Sequence, residues 1–262
     1  MPSTGERMRN LQIAIHQDRA TLGKAAADSA RQIINEACSR NGSATLVIAT
    51  GSSQLEVLDH LKTFSDIPWN VITVFHLDEY IGLEPRHPAS FRKFLHDRFI
   101  DLLPNKPKAF HEINGLDDPE KECQRLAKIV PDYDFDLAMV GIGENAHLAF
   151  NDPPADFEIM EPYIMVKLDK RCRQQQVWEG WFPSITDVPT HAISMSIARI
   201  LASRTIICSV PSSRKAEAVQ ATMEGDISPN VPASVLQRHS HCLFHLDQDA
   251  ASHLQSRTRN DW

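Results

Sequence analysis

The sequence predicts an α/β fold: a mostly parallel sheet covered by helices on both faces. Three observations predict it. Short apolar runs of strand length recur, Thr45–Ala49 (TLVIA), Val71–Phe75 (VITVF) and Thr205–Val210 (TIICSV) among them. They are continuous rather than alternating, as strands buried on both faces are. Amphipathic helical segments separate them, the pattern of strand–helix–strand crossovers. Ligands in such sheets bind beyond the carboxyl ends of the strands, so the residues following each strand carry the functional information.

Taken in order, Leu11–His16 is a short alternating strand. Asp18 caps an alanine-rich helix from Arg19 to about Cys38, which Asn41-Gly42 stops. Thr45–Ala49 is a strand, and Gln54–Leu61 a helix with Leu55, Leu58 and Leu61 on one side. Val71–Phe75 is a strand, and Pro88 to Phe99 a helix capped by Ser90 with Phe91, Phe94, Leu95 and Phe99 inward. Ala109–Ile113 is a candidate strand, Pro119–Val130 a helix and Leu137–Val140 a strand ending in Gly141-Ile142-Gly143. Glu144 to about Met160 holds four prolines and no period, which reads as a long surface loop. Ile164–Leu168 and Ala192–Met195 are strand candidates, and Thr205–Val210 is a strand. Ser213–Met223 is a helix, and Cys242–Leu246 a last strand followed by a short helix.

The chain has 262 residues, a length that one α/β domain can fill. Residues 1–262 are read as a single domain, with 1–10 a flexible N-terminus and about 144–190 a loop and lid segment. With 42% hydrophobic and 23% charged residues, a disordered or fibrous chain is excluded. The 27 Lys+Arg against 34 Asp+Glu give a net charge of −7, which offers nucleic acid or an anionic membrane no general attraction. The first ten residues are polar and no apolar run approaches a membrane span, so neither secretion nor insertion is expected. Five dispersed cysteines without a C-x-x-C pair suit a reducing compartment, and the expected location is the cytoplasm.

Four segments after strands carry chemistry. Thr50-Gly51-Ser52-Ser53 enters a helix and reads either as an N-cap or as a phosphate cradle of free N–H groups and hydroxyls. It is neither a P-loop nor G-x-G-x-x-G. His76-Leu77-Asp78-Glu79-Tyr80 sets two acids at a strand's end, either a carboxylate base or a solvated turn. Gly141-Ile142-Gly143 lets backbone approach a ligand, and His147 with Asp152 five residues on has the make-up of an imidazole acid–base pair. Ser213-Arg214-Lys215 puts cations in a first helical turn, where the dipole disfavours them unless an anion sits opposite; two solvated surface cations is the other reading. The His- and Cys-bearing run Arg238–His245 matches no zinc spacing and is set aside.

From about Ile13 to Leu254 the chain resembles the glucosamine-6-phosphate deaminase (isomerase) family, related to 6-phosphogluconolactonases. The resemblance rests on Phe75-His76-Leu77-Asp78-Glu79-Tyr80 with His87-Pro88-x-Ser90-Phe91, and on Gly141-Ile142-Gly143-x-Asn145-x-His147-x-x-Phe150-Asn151-x-Pro153. Tyr80 and Phe150-Asn151 favour the deaminase over the lactonase. The resemblance implies a Rossmann-like fold and an amino-sugar phosphate as substrate. It implies ring opening by His147, transfer of a proton from C2 to C1 by Asp78, orientation of His147 by Asp152, and no metal or organic cofactor. Gly51, Ser52, Ser53 and Lys215, with Gly141 beside them, match the family's substrate and phosphate grip.

Three departures stand out. Asp152 replaces a Glu common in the family, so His147 must sit closer or a water must bridge. Asn145 stands where some members have a second Asp; Asn also occurs in the family, and ring opening is expected to survive. Gln176 falls where well-known members place a phosphate-binding Arg, so either Arg171 or Arg173 substitutes or the substrate differs. The alternatives to a deaminase are a sugar-lactone hydrolase and a non-catalytic sugar-phosphate sensor. A homo-oligomer and the gluco or galacto stereochemistry are left open.

Overall fold

The structure is a computed structural model that describes residues 11–255 and Thr258. The expected flexible N-terminus, 1–10, lies outside the described residues. Among the described residues ten strands form two sheets: β1 (Leu11–His16), β2 (Ala44–Ile48), β3 (Ile72–His76), β4 (Asp78–Tyr80), β5 (Ala109–His111), β6 (Leu137–Val140), β7 (Tyr163–Lys167), β8 (His191–Met195), β9 (Thr205–Val210) and β10 (Cys242–Asp247). Seven of them make the main sheet, ordered β1-β10-β9-β6-β2-β3-β5, and every pairing in it is parallel. The α/β class read from the sequence is the class observed.

The helices are α1 (Arg19–Asn41), α2 (Leu55–Leu61), α3 (Phe91–Arg98), α4 (Pro119–Ile129), α5 (Lys170–Trp178), α6 (Ile197–Leu201) and α7 (Ala216–Glu224). Side chains alternate across each strand, so the central strands feed two cores. Leu46, Ile48, Val74 and Met139 pack with Ala26, Ala30 and Ile34 of α1 and with residues of α2 and α3. Val47, Phe75, Ala138 and Val140 pack on the other face with Leu126 of α4, Ile200 of α6 and Val219 of α7. Each fully buried Val, Ile, Leu or Phe contributes roughly 1.5–3 kcal/mol. Local signals act where expected. Asp18 and Thr21 form a capping box on α1, Gly42 ends it in the left-handed conformation, and the Ser90 side chain caps α3.

The small sheet, β4-β8-β7, is antiparallel and was not foreseen. The segment His76–Tyr80 is no simple loop: the chain leaves β3, passes Leu77, and continues as β4. Leu77 bridges the sheets, its N–H donating to Ile48 O at 3.1 Å while its carbonyl accepts from Met195 N–H at 2.9 Å. Within the 144–190 loop and lid segment, the strand expected at Ile164–Leu168 is β7, whereas α5 was not expected. The short helix expected after β10 is a run of turns over 248–253.

The main sheet positions the site. From β2 the chain order runs one way through β3 to β5, whereas β6, β9 and β10 lie on the other side. The loops leaving β2 and β6 therefore diverge, and a crevice opens at their carboxyl ends.

Candidate active site

That crevice is lined by Thr50–Ser53 after β2, Leu77 and Asp78 after β3, Gly141–Gly143 and His147 after β6, and Lys215 after β9. Gln175, Gln176 and Glu179 close it from the side of α5. Residues from four strand ends thus converge, as the parallel topology requires.

Asp78 and Glu79 are adjacent but face opposite ways, as neighbours on a strand do. Glu79 turns into the N-terminus of α3, accepting from Phe91 N–H at 3.2 Å, Arg92 N–H at 2.8 Å and the Ser90 hydroxyl at 3.0 Å. Its role is to hold α3 against β4. Asp78 faces the crevice. Burial raises its carboxyl to about 8, and neighbouring Glu79 adds to the rise.

The loop after β6 is tightly wound. Ala146 and Ala149 take positive φ, 63° and 53°, on either side of His147 and Leu148. Such backbone costs an alanine of order 1 kcal/mol and persists only where its surroundings hold it. Here Ala146 O accepts from Ala233 N–H at 2.9 Å, while the Asn151 amide donates to Leu148 O at 2.8 Å and to Met195 O of β8 at 2.9 Å. Gly143 lies under the imidazole: a Cβ there would stand 2.2 Å from His147 Cε1.

Behind His147 the acidic partners interlock. Its Nδ1 lies 3.3 Å from Asp152 Oδ1, so the shorter carboxylate reaches the ring directly. The approach is off the ideal hydrogen-bond line, which a reacting complex can tighten. The Asn145 amide donates to Asp152 Oδ1 at 2.8 Å and to Asp169 Oδ2 at 2.7 Å, and Asp169 N–H donates to Asp152 Oδ2 at 2.8 Å. Burial pushes Asp152 upward, but His147, Asn145 and the Asp169 amide outweigh it and hold the carboxyl below its usual range. Asp169, missed from the sequence, also caps α5 through Arg171 and Cys172 N–H groups. An acid directly before a helix was the available signal.

His147, Asp152 and Cys172 present ligand-type atoms within 4.8 Å of one another. Burial, with Asp152 and Asp169 beside it, drives the Cys172 thiol well above its usual range.

The other end of the crevice is formed by the turns after β2 and β9. Gly51, at φ 86°, turns the chain out of β2, and the Gln54 amide ties this turn to β6 through Val140 O at 3.0 Å. Lys215 follows a turn in which Ser212 takes φ 88°, held by its N–H donating to both Asp247 oxygens at 3.1 and 2.9 Å. Lys215 is buried at the crevice wall; burial lowers its pKa, and Glu179, then Glu144, oppose the drop. Arg214 instead stays 54% exposed, 3.8 Å from Glu144 and over the Trp178 ring.

Gln176 is buried in the wall. Neither suggested substitute for the missing arginine reaches it. Arg173 donates to Ile185 O at 2.6 Å and to Val188 O at 2.9 Å, and Arg171 approaches Glu217 at 3.8 Å on the surface. The Arg238–His245 cluster plays no part: His239 bonds Ser203 O at 2.8 Å and His245 stacks on His16.

A family model described as glucosamine-6-phosphate isomerases/6-phosphogluconolactonase matches residues 17–244. The chain belongs to this family. Among relatives of the glucosamine-6-phosphate isomerase/6-phosphogluconolactonase family, a glucosamine-6-phosphate deaminase of Exiguobacterium sibiricum is 35% identical over 215 residues, covering 82% of this chain and 83% of that one. One of Streptococcus pneumoniae is 37% identical over 215 residues, covering 82% and 89%. A solved monomeric glucosamine-6-phosphate deaminase superposes with a TM-score of 0.85 at 34% identity, covering 92% of this chain and 99% of the other. A 6-phosphogluconolactonase of Thermotoga maritima, at 14% identity and a TM-score of 0.75, covers 90% and 99% and shares the fold.

Proposed function

We propose that this chain is a glucosamine-6-phosphate deaminase, converting the amino-sugar phosphate and water to fructose 6-phosphate and ammonia. The observation that carries the reading is the convergence of Asp78 and His147 on one crevice, with Asp152, Asn145 and Asp169 interlocked behind the imidazole. The deaminase relatives support the substrate.

In this reading His147 takes the anomeric hydroxyl proton and returns one to the ring oxygen, which opens the ring. Asp152 orients the imidazole and stabilises its protonated form. Asp78 takes the C2 proton and delivers it at C1. The amine-bearing carbon then stands at the imine level, and water displaces ammonia. Burial keeps the Asp78 carboxyl protonated near neutral pH, and the substrate's ammonium, bound nearby, draws the pKa down into the working range. Lys215 and the Gly51–Ser53 turn hold the phosphate, with Gly141 and Gln176 completing the wall.

We read residues 1–262 as one catalytic domain, with a crevice lined by residues between Ala49 and Lys215. The 144–190 segment supplies the histidine network and one wall of the site. Among the described residues no helix is long and apolar enough to cross a membrane, and five free cysteines support a reducing, cytoplasmic setting.

The test is to incubate the protein with gluco- and galacto-configured amino-sugar phosphates and measure ammonia and ketose phosphate. Hydrolysis of a sugar-phosphate lactone is assayed in parallel. Release of ammonia with equal ketose phosphate is expected; lactone hydrolysis without ammonia would overturn the reading.

A further inference from the structure

The wall that α5 presents to the crevice is unusual for an anion site. Cys172, Gln175, Gln176 and Glu179 follow one another at i, i+3, i+4 and i+7, so they share one helix face. The last three line the crevice. Glu179 is held from two sides: Oε1 accepts from the Gln175 amide at 2.7 Å and Oε2 from the Trp181 indole at 3.3 Å. Gln175 is itself fixed, its carbonyl oxygen accepting from Glu144 N–H at 3.0 Å. A carboxylate is therefore positioned in the same crevice as Lys215, beside a glutamine where the family resemblance expects an arginine.

Charge balance decides what such a wall can bind. Among the described residues lining the crevice, Lys215 is the one lysine or arginine. Glu179 is the first charged group opposing the burial-driven drop in the Lys215 pKa, whereas it is absent from the causes acting on Asp78. Its influence falls on the anion end. A dianion there meets one cation and one repelling carboxylate. A carboxylate accepts hydrogen bonds and donates none, so an anion sits well against it only by bringing its own O–H.

We propose that Glu179 is a specificity-determining residue that makes this site select the singly ionised, O–H-bearing form of a phosphate over full dianions. The inference rests on the reading of this end as the phosphate site. A phosphate monoester loses its second proton near pH ~6, so the favoured form is abundant in mildly acidic medium. One bond from that O–H to Glu179 replaces a repulsion by a charge-assisted hydrogen bond.

Glu179 acts on Lys215 and on Tyr80 of β4, and the same Lys215 feels Glu144 from the loop after β6, Cys172 on α5 and Arg214 from the turn before α7. His147 and Asp78 line the remainder of the crevice. Sulfate controls for all of them, because it remains a dianion across the range in which phosphate titrates. A change in sulfate binding reports the protein's groups, and the ratio of phosphate to sulfate affinity isolates the ligand's proton.

The experiment is calorimetric titration of the whole protein with methyl phosphate, a monoester whose dianion carries no O–H, and with sulfate between about pH 5 and 8, on wild type and E179Q. The glutamine keeps the acceptor for Gln175 and removes the charge. Wild type should prefer phosphate roughly tenfold or more at the acid end, with the ratio falling as pH rises. E179Q should bind sulfate more tightly than wild type, and its ratio should approach one at every pH. A wild-type ratio that is flat with pH, or that E179Q leaves unchanged, overturns the inference and leaves the phosphate site standing. Failure of both anions to bind at any pH overturns the phosphate-site reading itself. If E179Q does not fold, the wild-type pH series alone decides.

Discussion

The two ends of the crevice are built differently. Around His147 the groups interlock, with Asp152, Asn145 and Asp169 sharing bonds of 2.7–2.8 Å. The imidazole lies against a glycine that no larger residue could replace without displacing it. At the proposed phosphate end, the buried Lys215 stands across from the Gly51–Ser53 turn. Burial acts on both ends, raising Asp78 and lowering Lys215. Only Asp152 moves the other way, because enough donors surround it. Proton transfer is sensitive to small displacements, whereas attraction between charges falls off gently with distance. Around His147 the side chains hold one another, whereas at the other end the backbone turns are held from below by Gln54 and Asp247.

The largest expected effect breaks this comparison at its chemical end. Asp78→Asn keeps the shape and removes the base, so turnover should fall at least ~10²-fold with binding of the sugar phosphate largely retained. Exchange of the C2 hydrogen with solvent, followed by NMR, should vanish; normal exchange in the variant would rule Asp78 out. Next comes His147→Gln. Turnover should drop on the order of 10²-fold on the cyclic sugar and by much less on a substrate supplied in open-chain form. Equal losses on the two would show that ring opening is not its main task.

At the binding end, Lys215→Ala should raise KM by roughly tenfold to a hundredfold at low salt with kcat less affected. An unchanged KM would remove the proposed phosphate site. A smaller effect concerns stability. The Asp78 carboxyl rises from 3.8 to about 8 in the folded state, so the folded protein holds a proton that the unfolded chain releases. That contribution is complete below pH ~4 and is lost as pH rises toward ~8. The asparagine variant has no such loss, so its Tm advantage over wild type should widen across this window and level off above it. A constant difference would mean that Asp78 is ionised throughout.

The smallest effect sharpens the comparison. Gln176→Arg places a cation in a wall that Arg171 and Arg173 do not reach, so phosphate binding should tighten modestly or stay unchanged. Weakened binding would show that the wall cannot accommodate the added group.

Much of this was legible in the chain. Thr45–Ala49, Val71–Phe75 and Thr205–Val210 declared themselves as buried strands because parallel strands with two covered faces must be apolar throughout. That Asp78, His147 and Lys215 line one crevice was legible because a parallel sheet gathers the residues after its strands. The small antiparallel sheet was not legible, since three residues of β4 carry too little pattern to be read as a strand.

What the sequence by itself determined was the main-sheet strands in chain order and the residue types that follow them, because these follow from local periodicity and side-chain identity. Only the tertiary structure decided that Asp78 faces the crevice while Glu79 caps a helix, that Asp169 joins the histidine network, and that Glu179 stands with Lys215. Those outcomes depend on which way a side chain points and on groups brought together across 17 to 36 positions of chain: 169 − 152 and 215 − 179. Burial and electrostatic partnership act through space, and neighbours in space are fixed only once the sheets have packed.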